Sequence, residues 1–254
     1  MMSPVPAADA YVQIDPHLLG EAIFHALKGR DERATYDRDR ALLYAIIDPE
    51  RREGEFRALE GAWFARLGLG RPLLQALDEQ PGVRAGARTC VVGWARRSEE
   101  EGADLHVSPG APIAVGCGAV TLVVRLQPES FGAPDRLLAL LRRELQHVAD
   151  VLSPAFGYEP RLPAEDPDPA RRNLRLDRYS VLWNITVEGR LSRRGQGSAE
   201  AEAICRRALE RAFPMLGGRG AEVFERFWSH PAPTHREIAA AACAPETLPS
   251  GVSS

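Results

Sequence analysis

The sequence is almost without lysine. Of its 32 basic residues only Lys28 is a lysine, and the 35 acidic residues bring the formal net charge to -3. Binding to nucleic acid usually depends on a broad basic surface, which a near-neutral chain of mixed charge does not provide. We therefore expect no nucleic-acid partner, and we interpret the preference for arginine as compositional.

Long apolar runs, a leader-like N-terminus and paired cysteines are also missing. No apolar run approaches the length of about 18 residues that is typical of a transmembrane helix. Residues 1–16 lack the basic start and apolar centre of a secretory signal. The four cysteines, at positions 90, 117, 205 and 243, never form a CxxC pair, which is typical of reduced thiols rather than of a disulfide framework or a cysteine zinc site. These features predict a cytoplasmic protein without a membrane partner.

The pattern of apolar residues predicts an α+β fold. Helical spacing covers residues 17–27, 37–47, 49–67 and 71–77 before a β-rich centre, and residues 134–152, 175–191, 198–212, 221–228 and 234–241 after it. Strands are expected over residues 89–95, 103–107 and 119–126. Helices, a small sheet and more helices in succession differ from the alternating order of a doubly wound fold.

The same pattern suggests how the chain is organised. We expect a helical subdomain over residues 1–85, an α+β region over 86–241 and a flexible tail over 242–254. The pair Gly116 and Gly118 lacks the third glycine and the following helix of a dinucleotide-binding loop, so we interpret it as a bend in the chain.

The segment over 134–152 combines an apolar stripe with a cluster of polar residues. Glu144 and His147 have the spacing of the last four positions of HExxH, the zinc-peptidase helix motif. In that motif two histidines one turn apart bind Zn²⁺, and the glutamate activates the metal-bound water. Here the first position is Arg143, whose guanidinium has no lone pair to offer a metal.

Two stretches resemble a group of bacterial zincin-like proteins. The segment RRELQHVADVLSPAFGYEP, residues 142–160, is similar to their motif helix, which reads HELxHVxDML and is followed by a Pro-Ala-Phe-Gly-Tyr turn. The segment RYSVLWNITVEGRL, residues 178–191, is similar to their second helix. The resemblance covers about residues 86–240 and implies a zincin-like fold, in which a small sheet precedes the motif helix and the second helix follows it.

The resemblance also implies roles for individual residues. His147 matches the second histidine ligand, Glu144 matches the general base, and Arg143 departs from the first ligand. Glu188 on the second helix is the expected third ligand. Asp150 is expected to orient the His147 ring. Ser153 lies where some zincins place a third ligand, but serine is a poor ligand for zinc.

Each of these residues also has a plainer interpretation. Glu144, His147 and Asp150 are equally typical of a solvated helix face with local ion pairs, and Arg143 is a candidate partner for Glu188 or Asp150 in place of the metal. Glu188, Asn184 and Arg190 are also typical of a polar helix face.

Two further groups of residues outside the motif also have two interpretations. His230 and His235 are either replacement ligands or residues at a helix start with Thr234 and Glu237 as a capping box. Trp183 and Trp228 are expected in the core.

The sequence thus predicts a zincin-like, metallopeptidase-related protein whose incomplete motif impairs or abolishes peptidase activity. Zinc is a doubtful cofactor. The expected partner is a peptide or a protein, held beside the strand over Val120–Arg125 by strand addition. The alternative is a non-catalytic interaction or scaffold protein that binds no metal.

Overall fold

The chain forms two compact units in its computed structural model, which describes residues 11–107, 120–162 and 168–245. The units are residues 1–148 and 149–254, and the division falls inside one helix. The N-terminal helices and the sheet share the first unit, so the division does not follow the boundary that we expected near residue 85. The Gly116–Gly118 bend, the start of the expected strand at 119 and most of the expected tail lie outside the described residues.

The first unit carries the sheet and the first six described helices. Its strands are β1 (Val12–Ile14), β2 (Thr89–Trp94), β3 (Gly102–Val107) and β4 (Val120–Leu126). Its helices are α1 (Pro16–Ala26), α2 (Glu32–Leu43), α3 (Pro49–Arg66), α4 (Arg71–Asp78), α5 (Pro81–Gly86) and α6 (Pro134–Leu152), which continues past the division. The α+β class and the three predicted strands are confirmed. The sequence missed β1 and α5, and it placed α2 too far along the chain.

The sheet is mixed, with the strand order β1-β2-β4-β3. β1 and β4 are parallel to β2, and β3 is antiparallel to β4. The expectation that a peptide pairs beside β4 is wrong, because β2 and β3 already occupy both edges of that strand. A strand as rich in Val and Leu as β4 is typical of the sheet interior. Among the described strands, β3 therefore lies at one edge of the sheet.

Aspartate followed by proline starts three of the helices. The side chains of Asp15, Asp48 and Asp168 each accept a hydrogen bond from the N–H two residues further on, at 2.8, 3.1 and 2.9 Å. Proline fits the next position because the first helical N–H has no partner within the helix and the ring presets φ. These pairs fix where α1, α3 and the helix after Asp168 begin.

Alternation along the strands builds the core of the first unit. Successive side chains of a strand point to opposite faces, and on β4 the alternate positions from Val120 to Leu126 are buried. Cys90 and Val92 of β2 are buried in the same way, and burial raises the pKa of the Cys90 thiol to about 12. The predicted stripe of α6 is buried as well: Leu137, Leu141, Leu145, Val148 and Leu152.

The second unit is helical in the part that the structure describes. After the end of α6 it contains α7 (Pro169–Arg193), α8 (Ala201–Ala212), α9 (Gly220–Trp228) and α10 (His235–Cys243). α7 begins six residues before the predicted residue 175 and packs against the other three helices. Phe213 and Phe224 are among the largest fully buried side chains of its core. Across the described residues, no helix combines the length and apolar character that a bilayer crossing requires.

Candidate functional site

A surface cleft lies where β3 begins, within the first unit. It has a volume of about 450 Å³ and is lined by Glu99, Glu100, Glu101, Gly102, Ala103, Asp104, Arg125 and Glu144. Glu144, the predicted general base, reaches it from α6. A Cβ at Gly102 would lie 3.2 Å from Oε2 of Glu144, so a glycine at this position leaves room for the carboxylate beside the strand.

Arg143 forms an ion pair with Glu144. Its Nε and Nη2 atoms each lie 3.0 Å from Oε1 of the carboxylate. The sequence suggested Asp150 or Glu188 as the partner of this guanidinium. Both residues belong to the second unit, so that pairing stays a prediction, and the partner that the structure shows within the first unit is the neighbouring residue on α6. Arg143 therefore offers no metal ligand at the position before Glu144, and it places a permanent positive charge against the Glu144 carboxylate.

A second arginine of α6 fixes the helix beside the cleft. Arg142 donates two hydrogen bonds of 2.7 Å to the two carboxylate oxygens of Glu79, at the end of α4. These bonds lower the pKa of the Glu79 carboxyl, and both side chains are largely buried. Gln80 donates to the side chain of Gln146 at 3.1 Å. Such bidentate pairs restrict geometry as well as adding energy, so they hold the α6 turn that carries Glu144.

Asp150 anchors α7 inside the second unit. Arg190 donates to its two oxygens at 2.7 and 2.6 Å, and Nε1 of Trp183 donates to Oδ2 at 2.8 Å. The Asp150 and Arg190 side chains are only 6% and 10% exposed. A buried ion pair of this kind is typically costly to break. These contacts give Asp150 a structural role, while its expected role in orienting the His147 ring stays a prediction.

The two expected metal ligands lie in different units. His147 is a half-buried residue of α6 in the first unit, and Glu188 is a half-buried residue of α7 in the second. Their convergence on one metal ion therefore stays a prediction.

Over residues 11–107, 120–162 and 168–245, no three His, Cys, Asp or Glu side chains are grouped so that they could hold a metal ion. Catalytic zinc is usually held by three protein ligands and a water. The guanidinium of Arg143 cannot act as a metal ligand, and the zinc hypothesis remains to be tested by metal analysis.

The interpretation of His235 as a residue at a helix start is supported by its capping box. Thr234 caps α10, its hydroxyl accepting from the N–H of Glu237 while the Glu237 carboxylate accepts from the N–H of Thr234. His235 is 3% exposed, its Nδ1 lies 2.8 Å from the Tyr179 hydroxyl, and burial lowers the pKa of its ring. Trp183 and Trp228 pack against the core of the second unit, as predicted.

The cleft itself was not predicted from the sequence. The sequence feature that could have indicated it is the acidic run from Glu99 to Glu101, directly before β3, the edge strand of the described sheet. Nothing in that run shows that Glu144, more than forty residues later, reaches the same cleft. Comparison with protein-family models, with curated proteins and with solved structures gave no match to this chain.

Proposed function

We propose that this chain is a cytoplasmic, zincin-like protein that binds an extended peptide beside β3 without hydrolysing it. The observation that carries the proposal is the place of Glu144. The residue that matches the zincin base lines a cleft at the start of the edge strand, and it is paired there with Arg143. The free thiols of Cys90, Cys205 and Cys243 are compatible with a reducing compartment.

The pairing of Glu144 argues against peptidase chemistry. A general base must accept a proton from water in the transition state, and a zincin base does so next to a metal-bound water. A guanidinium 3.0 Å from the Glu144 carboxylate already donates to its Oε1 atom, which is then not available to accept a proton from water. The residue that carries this guanidinium, Arg143, also takes the place of the first metal ligand of the motif.

The position of β3 supports peptide binding. β3 pairs with β4 along one edge, and no strand among the described residues pairs with its other edge. An edge strand presents alternate N–H and C=O groups to which an extended peptide can add. The cleft opens at the start of this strand, so side chains of an added peptide would have space beside Gly102.

Hydrogen exchange and mass spectrometry together test the proposal. The full chain is incubated with a blocked hexapeptide, Thr-Val-Gln-Val-Gln-Thr, and with its arginine counterpart, Thr-Val-Arg-Val-Arg-Thr. We expect slower exchange of amides within Gly102–Val107 with at least one peptide, and both peptides recovered intact. The absence of protection with both peptides, or cleavage of either, contradicts the proposal.

An interaction or scaffold role without peptide binding is the second candidate. It is favoured by exposed apolar side chains where α2 leads into α3: Leu42 is 67% exposed, Tyr44 62% and Ile47 94%. Grouped apolar exposure of this kind often marks a contact surface. Under this alternative, Ile47→Asp abolishes association with a protein partner, and neither hexapeptide protects β3.

A further inference from the structure

Glu101 is the fixed anion of the β3 cleft. It lies between the 3-10 turn Ser98–Glu100 and the start of β3. Its Oε1 atom accepts a hydrogen bond from the N–H of Gln127 at 2.8 Å and another from the Ser130 hydroxyl at 2.6 Å. Both donors are neutral, so they hold the carboxylate in place without cancelling its charge.

The acidic residues around the cleft fall into two groups, those paired with an arginine and those that are not. Glu100 is paired with Arg97 and Asp104 with Arg125, at 2.8 and 3.1 Å, and Glu144 is paired with Arg143. Within the part of the chain that the structure describes, no cation pairs with Glu101 or with the adjacent Glu99. Their charges are the ones that leave the cleft negative.

This charge lies at the end of a strand edge that can accept a partner strand. β3 starts at Gly102, immediately after Glu101, and Gly102 has no side chain to fill the cleft. A peptide strand added to the first residues of β3 would present alternate side chains toward the same space. A long cationic side chain is the complement of a fixed carboxylate held by neutral donors, because the ion pair then supplies the missing counter-charge.

We infer that the β3 cleft selects an extended peptide with an arginine or lysine side chain set against Glu101. The inference rests on the proposed function and specifies its ligand. Uncharged peptides make the same backbone pairing without the ion pair, and acidic peptides are repelled by Glu99 and Glu101. The preference weakens with salt, because the cleft is open to solvent and its charges are screened.

The test compares two ligands and two variants of the full chain. The affinities of Thr-Val-Arg-Val-Arg-Thr and Thr-Val-Gln-Val-Gln-Thr are measured by calorimetry at low salt. For the unchanged protein we expect the arginine peptide to bind about tenfold more tightly, as one charge-assisted hydrogen-bonded pair predicts. Glu101→Gln retains a carbonyl acceptor for Gln127 and Ser130 while removing the charge, and we expect it to reduce the preference to about twofold.

The matched control is Glu55→Gln, which makes the same change in net charge at an exposed position of α3. It should leave the preference unchanged, and equal melting temperatures show that both variants fold. Equal affinity for the two peptides, with protection of β3, overturns the inference and leaves the proposed function standing. A preference that persists in Glu101→Gln also overturns it. Failure of both peptides to bind overturns the proposed function together with the inference.

Discussion

The guanidinium of Arg143 and the carboxylate of Glu144, adjacent on α6, lie 3.0 Å apart beside the cleft at the start of β3. In an intact zincin motif these two positions hold a metal ligand and a base, one neutral and one negative. Here they hold a cation and an anion that satisfy each other. Under the proposed zincin-like function, the arginine at position 143 accounts for both the missing ligand and the engaged base.

Removing the guanidinium should make the cleft more negative. We expect Arg143→Gln to tighten binding of the arginine hexapeptide by about threefold, because Glu144 then contributes an uncompensated charge. The free energy of unfolding should change by less than about 1 kcal/mol, since the Arg143 side chain is 40% exposed. Calorimetry checks the affinity. The control, Arg38→Gln on α2, should show no tightening, and equal tightening there would contradict the local explanation.

The Asp150–Arg190 pair should be among the most sensitive sites of the second unit. Asp150→Asn leaves the Arg190 guanidinium without its counter-charge in a site that is nearly closed to solvent. We expect a loss of about 3–5 kcal/mol in the free energy of unfolding, measured by urea denaturation. Asp37→Asn, which breaks an exposed pair with Arg33, should cost less than about 1 kcal/mol. Equal costs would show that burial is not the cause.

Two glycines within helices should respond to alanine in opposite directions. A Cβ at Gly189 of α7 would clash with the backbone carbonyl of Trp228, so the backbone must shift. We expect Gly189→Ala to destabilise the protein by about 1–3 kcal/mol or more. Gly61 of α3 has open space at the same atom, and Gly61→Ala should stabilise by about 0.5–1 kcal/mol. Thermal melting of both variants measures this contrast. Melting temperatures that shift in the same direction in the two variants would refute it.

His235 should make stability depend on pH. Burial lowers the pKa of its ring below the ordinary 6.5, and the nearby Glu159 opposes this only in part. Below about pH 6.5 the unfolded chain binds a proton that the folded ring resists. The stability that His235 contributes is therefore complete above this pH and falls as the pH decreases.

Melting temperatures between pH 8 and pH 5 test this contribution. His235→Phe removes the titrating group and should flatten the decline, although it also removes the hydrogen bond between Nδ1 and Tyr179. His106→Asn, at an exposed position of β3, should leave the decline as it was. A decline of equal size in His235→Phe would mean that other groups are responsible.

The sequence predicted most elements because their signals are local. The Asp48-Pro49 pair and the stripe of α6 gave helix limits that the structure reproduces closely. β1 has only three residues, too few for a periodicity, and it forms by pairing with β2, at Val12 with Cys90. The cleft could not be predicted either, because it too depends on contacts between distant residues: Glu101 is held by Ser130, 29 positions later. The buried pairing of Arg190 was not predicted either, because its partner Asp150 is 40 positions away.

The zinc content of Arg143→His, measured beside the unchanged protein, tests the central claim most directly. Metal analysis after incubation with zinc and gel filtration gives the ratio of zinc to chain, and a peptide-cleavage assay accompanies it. We expect no stoichiometric zinc in the unchanged protein and about one zinc per chain in the variant, because a second imidazole one turn before His147 restores the pair of the motif and Glu188 is the expected third ligand. Stoichiometric zinc or peptide cleavage in the unchanged protein, or a folded variant that takes up no zinc, would contradict the account.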